Sequence, residues 1–440
     1  MSEVQPTKMN KVIHFLEKYF APIAAKVEKQ RHISSIKNGM IGLMAVLMIG
    51  SFSLIIMAIG NMFPEGSAIR TFFDQNHGII NMPFQFTFGL LSVYAAISIS
   101  YHHARQMKIP FLHSMIGATL ATLILNVKVV KGALDTSFLD SKGLFIAIIA
   151  SLLTVEVMAF FIRRKITIRF KGLPDGIAQT FEALIPLFVV LMLAVIANAS
   201  ILYLTGGKNL PEAFTYFLAP TFDSIDTPYA IWLISFLEML FWFIGLNGYA
   251  ILVGFVLPFM TTYLAKNAAA FAAGEPIPHV FAPNFWDYFL GCTGSGVTGA
   301  IVILALFSKS KELRTIGKAS SVPAIFTISE PVVFGLPIVY NPYLFIPFVF
   351  GTPTLGVLTY YVFKLGWVTP PIANVGGIPV PFAQYLATMD WRAFILTFAI
   401  IAAAVCMYYP FFKMYERSLV AKTKEKDERQ QAFDKLDLDF

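Results

Sequence analysis

Residues Phe326 to Pro342 read FTISEPVVFGLPIVYNP, an apolar run that contains a single charged residue, Glu330. Pro331 follows this acid at once, and the later prolines forbid a regular helix across the run. An ionised carboxylate at the centre of a hydrocarbon layer costs about 3 kcal/mol, so an acid within a membrane is a functional hypothesis by default. The pattern predicts that Glu330 binds a ligand or braces a hairpin that folds back, and the two roles are compatible.

The composition of the chain indicates that such runs lie in a membrane. Of the 440 residues, 57% are hydrophobic and 13% are charged, whereas soluble globular proteins carry about 25% charged residues. The net charge of +7 does not indicate nucleic-acid binding, because the charges cluster at the ends of apolar runs. Two cysteines alone cannot build a disulfide framework or a thiolate metal site. The mixed charges of Met1–Lys37 exclude a cleavable signal peptide.

The apolar stretches predict an all-α polytopic membrane protein with about ten transmembrane helices. A helix needs about 20 apolar residues to cross the hydrocarbon. Pro228–Leu264 is too long for one such helix and too short for two, so Gly245 and Gly248 are predicted to break it. Gly291–Phe307 and Val322–Tyr340 are apolar but rich in Gly, Pro, Ser and Thr. The more regular spans are Met40–Met62, Ile80–Tyr101, Phe111–Leu125, Gly143–Ile162, Ala183–Leu204, Tyr343–Phe363 and Ala393–Phe412.

The distribution of basic residues predicts the orientation. Lysines and arginines crowd the N-terminal segment and the loops after the second and fourth spans, whereas the loops between these are neutral or acidic. This alternation predicts that the N-terminus is cytoplasmic, and an even number of crossings returns the C-terminus to the same side. Met9–Val27 has apolar residues at helical spacing, which indicates an interfacial helix on the inner leaflet. A soluble helix packed on cytoplasmic loops is the alternative.

The two halves of the chain differ in regularity, and this predicts its domains. Interrupted apolar segments, which fill the second half, are the best sequence pointer to a transport site. We therefore predict a cytoplasmic or interfacial segment over residues 1–37 and a scaffold and dimerisation domain over 38–205. A substrate-binding transport domain over 206–390 follows, then a last transmembrane helix over 391–412 and a cytoplasmic tail over 413–440.

A second segment with candidate binding residues, EMLFWFIGLNG, runs from Glu238 to Gly248. Trp242 is suited to stack on the apolar face of a sugar, and Gly245 and Gly248 let the backbone approach a ligand closely. Asn247 offers a donor and an acceptor together. Glu238 is predicted to pair with a polar group in the interior, with ligand contact as the alternative.

A third segment, NFWDYFLGCTGSGVT, runs from Asn284 to Thr298. Its Gly-rich end lacks the Gly-Lys-Ser/Thr ending of a P-loop. Within a membrane domain it reads as the tip of a re-entrant loop whose backbone faces the substrate, which makes Thr293, Gly294 and Ser295 candidates for contact. Asn284 and Asp287 are predicted to anchor this loop, and Asn284 is also expected to contribute to the site.

The histidines indicate no metal site, and no cofactor is expected. We expect no acidic or cysteine partner to accompany His102, His103 and His113, and their position at the cytoplasmic end of a span explains them. His279 lies in the Pro-rich stretch Glu275–Pro283, where it faces either the cavity or a cytoplasmic partner.

Four motifs give the chain a resemblance to a known family. They are Ser329–Pro342, Gly294–Thr298 (GSGVT), Phe181–Pro186 (FEALIP) and Val368–Pro371 (VTPP). In this order they resemble the membrane C subunits of the lactose/cellobiose (diacetylchitobiose) branch of the phosphoenolpyruvate-dependent sugar phosphotransferase system (PTS). The resemblance covers residues 10–412, and the Glu-Pro block is its most specific part.

The resemblance implies a homodimer with ten transmembrane helices and two re-entrant hairpins. It implies dimerisation through the N-terminal half and sugar transport by rigid, elevator-type displacement of the C-terminal half in a bacterial inner membrane. A separate B subunit then phosphorylates the bound sugar from a phosphocysteine. Glu330, flanked by Ser329 and Pro331, matches the family glutamate that binds sugar hydroxyls. Neither Cys292 nor Cys406 is expected to accept phosphate.

The chain departs from the family pattern at one position. The family has a histidine in a Gly-Ile-His-Gly sequence, whereas this chain reads Gly245-Leu-Asn-Gly248. Asn247 keeps hydrogen bonding but cannot titrate. Altered sugar preference or lost transport would follow from this change.

The sequence thus predicts a PTS permease for a disaccharide of the cellobiose, lactose or diacetylchitobiose kind. An ion- or proton-coupled sugar transporter, in which Glu330 or Glu238 titrates, is the first alternative. A non-transporting sensor is the second. An integral-membrane enzyme is the least favoured, because no catalytic constellation appears in the sequence.

Overall fold

The fold is known from a computed structural model, which describes residues 30–61, 63, 64, 66–130, 132–170, 174–214, 224–336 and 338–436, together with 18 and 26. The predicted interfacial helix Met9–Val27 therefore lies almost entirely outside the described residues. Side chains are described as far as residue 421 in the last helix.

The first half consists of helices joined by short turns and one small hairpin. Its helices are α1 (Arg31–Gly42), α2 (Met44–Asn61), α3 (Ala68–Gln75), α4 (His77–Thr87), α5 (Leu91–Met107), α6 (Phe111–Asn126), α7 (Leu144–Arg163) and α8 (Asp175–Leu204). Between α6 and α7, β1 (Lys128–Val130) and β2 (Ala133–Asp135) pair antiparallel. These two strands are the only ones in the described part of the chain.

The second half contains shorter and more interrupted elements. They are α9 (Pro228–Phe243), α10 (Gly248–Ala273), a π-helical turn (Phe285–Leu290), α11 (Thr298–Leu306), α12 (Lys311–Ile325), α13 (Glu330–Gly335), a second π-helical turn (Pro347–Gly351), α14 (Thr352–Lys364), α15 (Val380–Thr388) and α16 (Arg392–Leu436).

Several helices are long and apolar enough to cross a membrane. Among the described residues there are five: His77–Met107, Ser141–Arg163, Gly176–Leu204, Gly248–Ala273 and Arg392–Ala421. Two shorter apolar helices, α6 and α9, accompany them. The predicted all-α multi-pass membrane fold is confirmed. The orientation of the termini, the dimer and the domain bounds stay predictions.

The predicted break in the apolar stretch 228–264 falls between α9 and α10. Gly245 adopts φ +81°, which favours glycine. Gly248 packs against the end of the preceding helix, so closely that a Cβ there would lie 2.1 Å from the carbonyl oxygen of Glu238. The two glycines therefore allow the chain to reverse tightly at this point.

Two folded-back segments interrupt the second half. In the first, the π-helical turn Phe285–Leu290 leads into a Gly-rich turn and returns as α11; Gly294 and Gly296 in that turn have φ +111° and +84°. The second runs extended from Val368 and returns as α15, where the carbonyl oxygen of Ala387 accepts hydrogen bonds from Ile372 and Ala373. Glu330 begins the short helix α13, which lies between these two segments in the chain.

The buried side chains form two clusters. The larger cluster joins α1, α2 and α5 to most of the second half. The smaller cluster contains only residues from 104 to 194, with partly buried side chains up to 214 packed against it. The first half therefore has a core of its own beside the one it shares with the second half.

Candidate functional site

A cavity of about 330 Å³ lies between four segments of the second half. The segments are the break between α9 and α10, the Gly-rich hairpin, the start of α13 and the loop before α15. Its volume is at the lower end of the range of about 300–1,000 Å³ for small-molecule pockets. The predicted site residues that line it are Glu238, Trp242, Asn247, Ser295, Ser329 and Glu330.

Glu238 connects α9 to the Gly-rich hairpin. Its side chain is buried, and its Oε2 accepts a hydrogen bond of 2.5 Å from the indole Nε1 of Trp286. Its Oε1 accepts a bond of 2.8 Å from the hydroxyl of Ser295. The structure thus gives Glu238 the polar pairing that the sequence favoured, at a position that also borders the cavity.

Ser295 extends this connection to α13. Its backbone N–H donates a hydrogen bond of 2.7 Å to the Oγ of Ser329. Glu330 follows as the first residue of α13, with an exposed side chain at the cavity. Pro331 lies at the first turn of α13, where a missing N–H is tolerated. Its role is to begin the helix, and it does not line the cavity.

Asn247 is the N-cap of α10. Its Oδ1 accepts a hydrogen bond of 2.9 Å from the backbone N–H of Ala250. Asparagine is among the best N-cap residues. The side chain also lines the cavity, and no hydrogen bond within the described part of the chain engages its Nδ2. One end of the amide therefore holds the helix while the other is available to a ligand.

The aromatic residues of the cavity differ in how much of their rings is open. Trp242 is only 2% exposed and packs edge to face with Phe334, so its ring face is covered in this conformation. Phe326 is 38% exposed, and Tyr249 is half-buried beside Trp286, with the ring centroids 5.1 Å apart. Tyr249 and Phe326, which the sequence reasoning missed, offer more stacking surface than Trp242.

Several predicted site residues lie away from the cavity and support its walls. Asn284 is fully buried and exchanges two hydrogen bonds with the backbone of Val375, which lines the cavity. The hydroxyl of Thr293 accepts a bond of 3.2 Å from the N–H of Gly299. A Cβ on Gly294 would lie 2.5 Å from the hydroxyl of Thr298. Gly245 and Gly248 shape the break described above.

His279 is also outside the cavity. Its Nδ1 lies 3.2 Å from Oδ2 of Asp226, and its ring stacks on Tyr263 with the centroids 4.4 Å apart. These contacts hold the loop after α10. Of the two possibilities that the sequence left open, the structure does not support the cavity-facing one.

The cavity also contains groups that the sequence reasoning did not assign to it. Asp287 lies beside the Tyr249 hydroxyl, and Val375, Gly376 and Gly377 form one wall. Asp287, which the sequence predicts only as a loop anchor, has a detectable signal, since it is a third acid in an apolar segment. The stretch 375–377 is Val-Gly-Gly, which has no polar side chain that would mark it as part of a site.

The expectation that His103 has no acidic partner is wrong. Glu156 and His32, which are distant in sequence, lie beside it. Helix packing brings α1, α5 and α7 together, and sequence spacing cannot reveal such a contact.

The two cysteines occupy different environments. Cys292 is fully buried at the base of the Gly-rich hairpin. Cys406 is exposed on α16, within the stretch that is apolar enough to cross a membrane.

Comparison with known proteins gives consistent matches along most of the chain. Residues 37–352 match the family model described as phosphotransferase system, EIIC. The lichenan permease IIC component of Bacillus subtilis (strain 168) is 33% identical, and the alignment covers 96% of each chain. A lactose-specific EIICB component of Lacticaseibacillus casei is 28% identical over 96% of this chain and 73% of that protein.

A solved structure matches at the level of the fold. It is the transporter ChbC, the IIC component from the N,N'-diacetylchitobiose-specific phosphotransferase system. The TM-score is 0.84 at 27% sequence identity, and the match covers 93% of this chain and 99% of that one.

Replacing Glu238 tests whether its carboxyl group holds the cavity wall. Glu238→Ala leaves the buried Trp286 donor without a partner, at about 1–3 kcal/mol, and removes the acceptor of the part-buried Ser295 hydroxyl. We expect a clear fall in the midpoint of thermal unfolding in detergent. The unfolding midpoint of Glu238→Gln should fall less. The amide oxygen can accept from Trp286, and the amide N–H can donate to the Ser295 hydroxyl once that hydroxyl turns.

Glu275→Ala is the matched control, since Glu275 is exposed at the end of α10. A surface change of this kind shifts stability by no more than about 0.5 kcal/mol. Equal unfolding midpoints for Glu238→Ala and Glu275→Ala would show that the Glu238 contacts do not hold the wall.

Proposed function

Because this chain belongs to the EIIC family of the phosphotransferase system, we propose that its cavity binds a β-linked disaccharide, which the protein carries inward for phosphorylation. The observation that carries the proposal is the meeting of Glu330, Asn247 and Ser295 around one cavity of about 330 Å³. These residues come from three separate segments of the chain.

The chemistry of the lining suits a neutral sugar. Sugar hydroxyls are donors, and the carboxyl groups of Glu330, Asp287 and Glu238 border the cavity as acceptors. Glu330 is the most accessible of the three, so we assign it the direct hydroxyl contacts. The Asn247 Nδ2 supplies a donor for a sugar oxygen. Tyr249 and Phe326 cover the apolar face of a ring.

The phosphoryl group is proposed to come from a separate B subunit. Cys292 is buried, and Cys406 lies on an apolar helix, so neither is accessible to a cytoplasmic phosphate donor. The Lacticaseibacillus casei relative, named an EIICB component, is longer than this chain. Its name supports a B component as the phosphoryl donor.

Transport is proposed to occur by movement of the cavity-bearing half against the first half, in a homodimer within the bacterial inner membrane with both termini cytoplasmic. Helices α1 and α10 form part of the contact between the two halves. Gly254 of α10 lies so close to α1 that a Cβ there would meet the carbonyl oxygen of Ile33 at 3.1 Å and its Cγ2 at 3.2 Å. The proposed movement would have to change this close contact.

Proton-coupled transport is the second candidate. The presence of Glu238, Asp287 and Glu330 around one cavity favours it, because clustered acids are a common device for binding protons in membranes. Its energy source would be a proton gradient, whereas that of the first candidate is a phosphoryl donor, and this difference is measurable.

Glu330→Gln is expected to weaken disaccharide binding by more than about tenfold, since hydrogen bonds to a charged group contribute about 1.5–3 kcal/mol. Binding is measured by titrating purified protein with cellobiose, lactose and diacetylchitobiose. Glu312→Gln, an exposed acid on α12, serves as the control and should bind like the parent protein. Unchanged affinity in Glu330→Gln would remove Glu330 from the site.

Asn247→Ser separates the two functions of this side chain. Serine caps a helix as well as asparagine does, so thermal stability should be unchanged. It lacks the amide donor, and the affinity for the sugar should fall by about three- to tenfold. Equal affinity in Asn247→Ser and the parent protein would limit Asn247 to capping α10.

Proteoliposomes distinguish the two energy sources. We expect label to accumulate on the cytoplasmic side as the disaccharide phosphate, and only when a phosphorylated B subunit of a lactose/cellobiose-type system is supplied there to transfer its phosphoryl group to the sugar. A protonophore should not change this uptake. Accumulation driven by a pH gradient without a phosphoryl donor would instead support the proton-coupled transporter.

A further inference from the structure

Three side chains that could hold a metal ion meet at one end of the first half. His32 comes from α1, His103 from α5 and Glu156 from α7, and their ligand atoms all lie within 4.8 Å of one another. The Oε1 of Glu156 is 2.8 Å from Nε2 of His32 and 3.4 Å from Nε2 of His103. The cluster is far from the cavity in sequence and shares no residue with it.

The hydrogen bonds of Ser35 favour one tautomer of His103. The single hydroxyl hydrogen of Ser35 is donated to the carbonyl oxygen of Arg31 at 2.6 Å. With that hydrogen directed at Arg31, the 3.0 Å contact between the Ser35 Oγ and Nδ1 of His103 is a hydrogen bond when Nδ1 carries the hydrogen. In the neutral ring this leaves a lone pair on Nε2, directed toward the carboxyl group of Glu156.

In this tautomer two electron-rich atoms face each other, the buried Nε2 of His103 and an oxygen of Glu156, which is about one-third exposed. His103 is fully buried, and its Nε2 makes no hydrogen bond within the described ranges of the chain. The 3.4 Å separation from Glu156 is longer than an ordinary N–H···O bond of about 2.7–3.2 Å. A cation between the nitrogen and the oxygen would give the Nε2 of His103 a partner and would be bound by the negative charge of Glu156.

We propose that His32, His103 and Glu156 bind a divalent transition-metal ion of the Zn²⁺ class. Two imidazoles and one carboxylate are a known zinc ligand set, at about 2.0–2.2 Å from the ion. A tetrahedral ion at these distances separates its ligand atoms by about 3.3 Å. The contact between His103 and Glu156 already has this length.

Binding requires a small adjustment on the exposed side. The Nε2 of His32 now donates to Glu156, and its Nδ1 accepts from Gln30, so His32 must take its other tautomer and Gln30 must turn. Both His32 and Glu156 are about one-third exposed. Arg31, whose Nε lies 3.7 Å from Glu156, is half-exposed and has room to swing into solvent. Water completes the coordination from that side.

The site would join three helices at one end. His32 lies in the first turn of α1, which packs on α5 and, through Gly254 of α10, on the second half. A metal ion here fixes α1 to the first half. It does so outside the sugar cavity, so metal binding and sugar binding are separable.

The test is a calorimetric titration of tag-free, detergent-purified full-length protein with Zn²⁺ alone. We expect one ion per chain, and binding at least about 100-fold weaker in His32→Ala and in Glu156→Gln, since even the loss of an outer-shell partner costs about 10–100-fold. Co²⁺ should give the intense visible absorption of a tetrahedral site in the parent protein and lose it in both variants.

His102→Ala is the matched control, because His102 neighbours the cluster in sequence and is not one of its ligands; it should bind Zn²⁺ like the parent protein. Disaccharide binding, measured on the same samples, should be unchanged in all three variants and shows that they are folded. The proposal is overturned if the parent protein binds no stoichiometric Zn²⁺, or if His32→Ala and Glu156→Gln bind it as tightly as the parent does.

Discussion

The buried carboxyl group of Glu238 is the contact on which the geometry of the cavity depends. It accepts hydrogen bonds from Trp286 and Ser295, so the end of α9 is tied to the Gly-rich hairpin 48 and 57 residues further along the chain. Ser295 in turn donates from its backbone to Ser329, next to Glu330. A single chain of polar contacts therefore sets the distance between the two sides of the cavity.

The same point fixes Asn247. Gly248 packs on the carbonyl oxygen of Glu238 so closely that only a glycine fits. The start of α10 is thereby placed against the end of α9, and Asn247 as its N-cap is held at the cavity. In this way one buried acid, one glycine and one cap residue together determine where the ligand-facing groups lie.

The parts of this fold that the sequence predicts are those that hydropathy and Gly/Pro content control. The long apolar spans, the break at Gly245 and Gly248, and the turn at Gly294 follow from these local properties. Six of the predicted binding residues border the cavity. Glu238 and Trp242 lie on the last turns of α9, and the other four lie at the break before α10, in the Gly-rich turn or at the start of α13. The acids Glu238 and Glu330 and the amide Asn247, each next to an interruption of an apolar segment, correctly indicated the cavity.

The failures of prediction have a common physical origin. Asn284 and Thr293 lie in the right segment, but their polar groups are used to satisfy buried backbone atoms, and residue type does not tell which use prevails. Val375–Gly377 contribute backbone and carry no chemical signal. The contact of His103 with Glu156 joins residues 53 positions apart through helix packing, which spacing along one chain does not encode.

An experimental structure of the protein with bound cellobiose tests the central claim most directly. The account predicts sugar density in the cavity between α10 and α13, with a hydroxyl oxygen within about 3 Å of the Glu330 carboxylate and a sugar oxygen near the Asn247 amide. Sugar bound elsewhere in the protein, with Glu330 and Asn247 both out of contact, would contradict it.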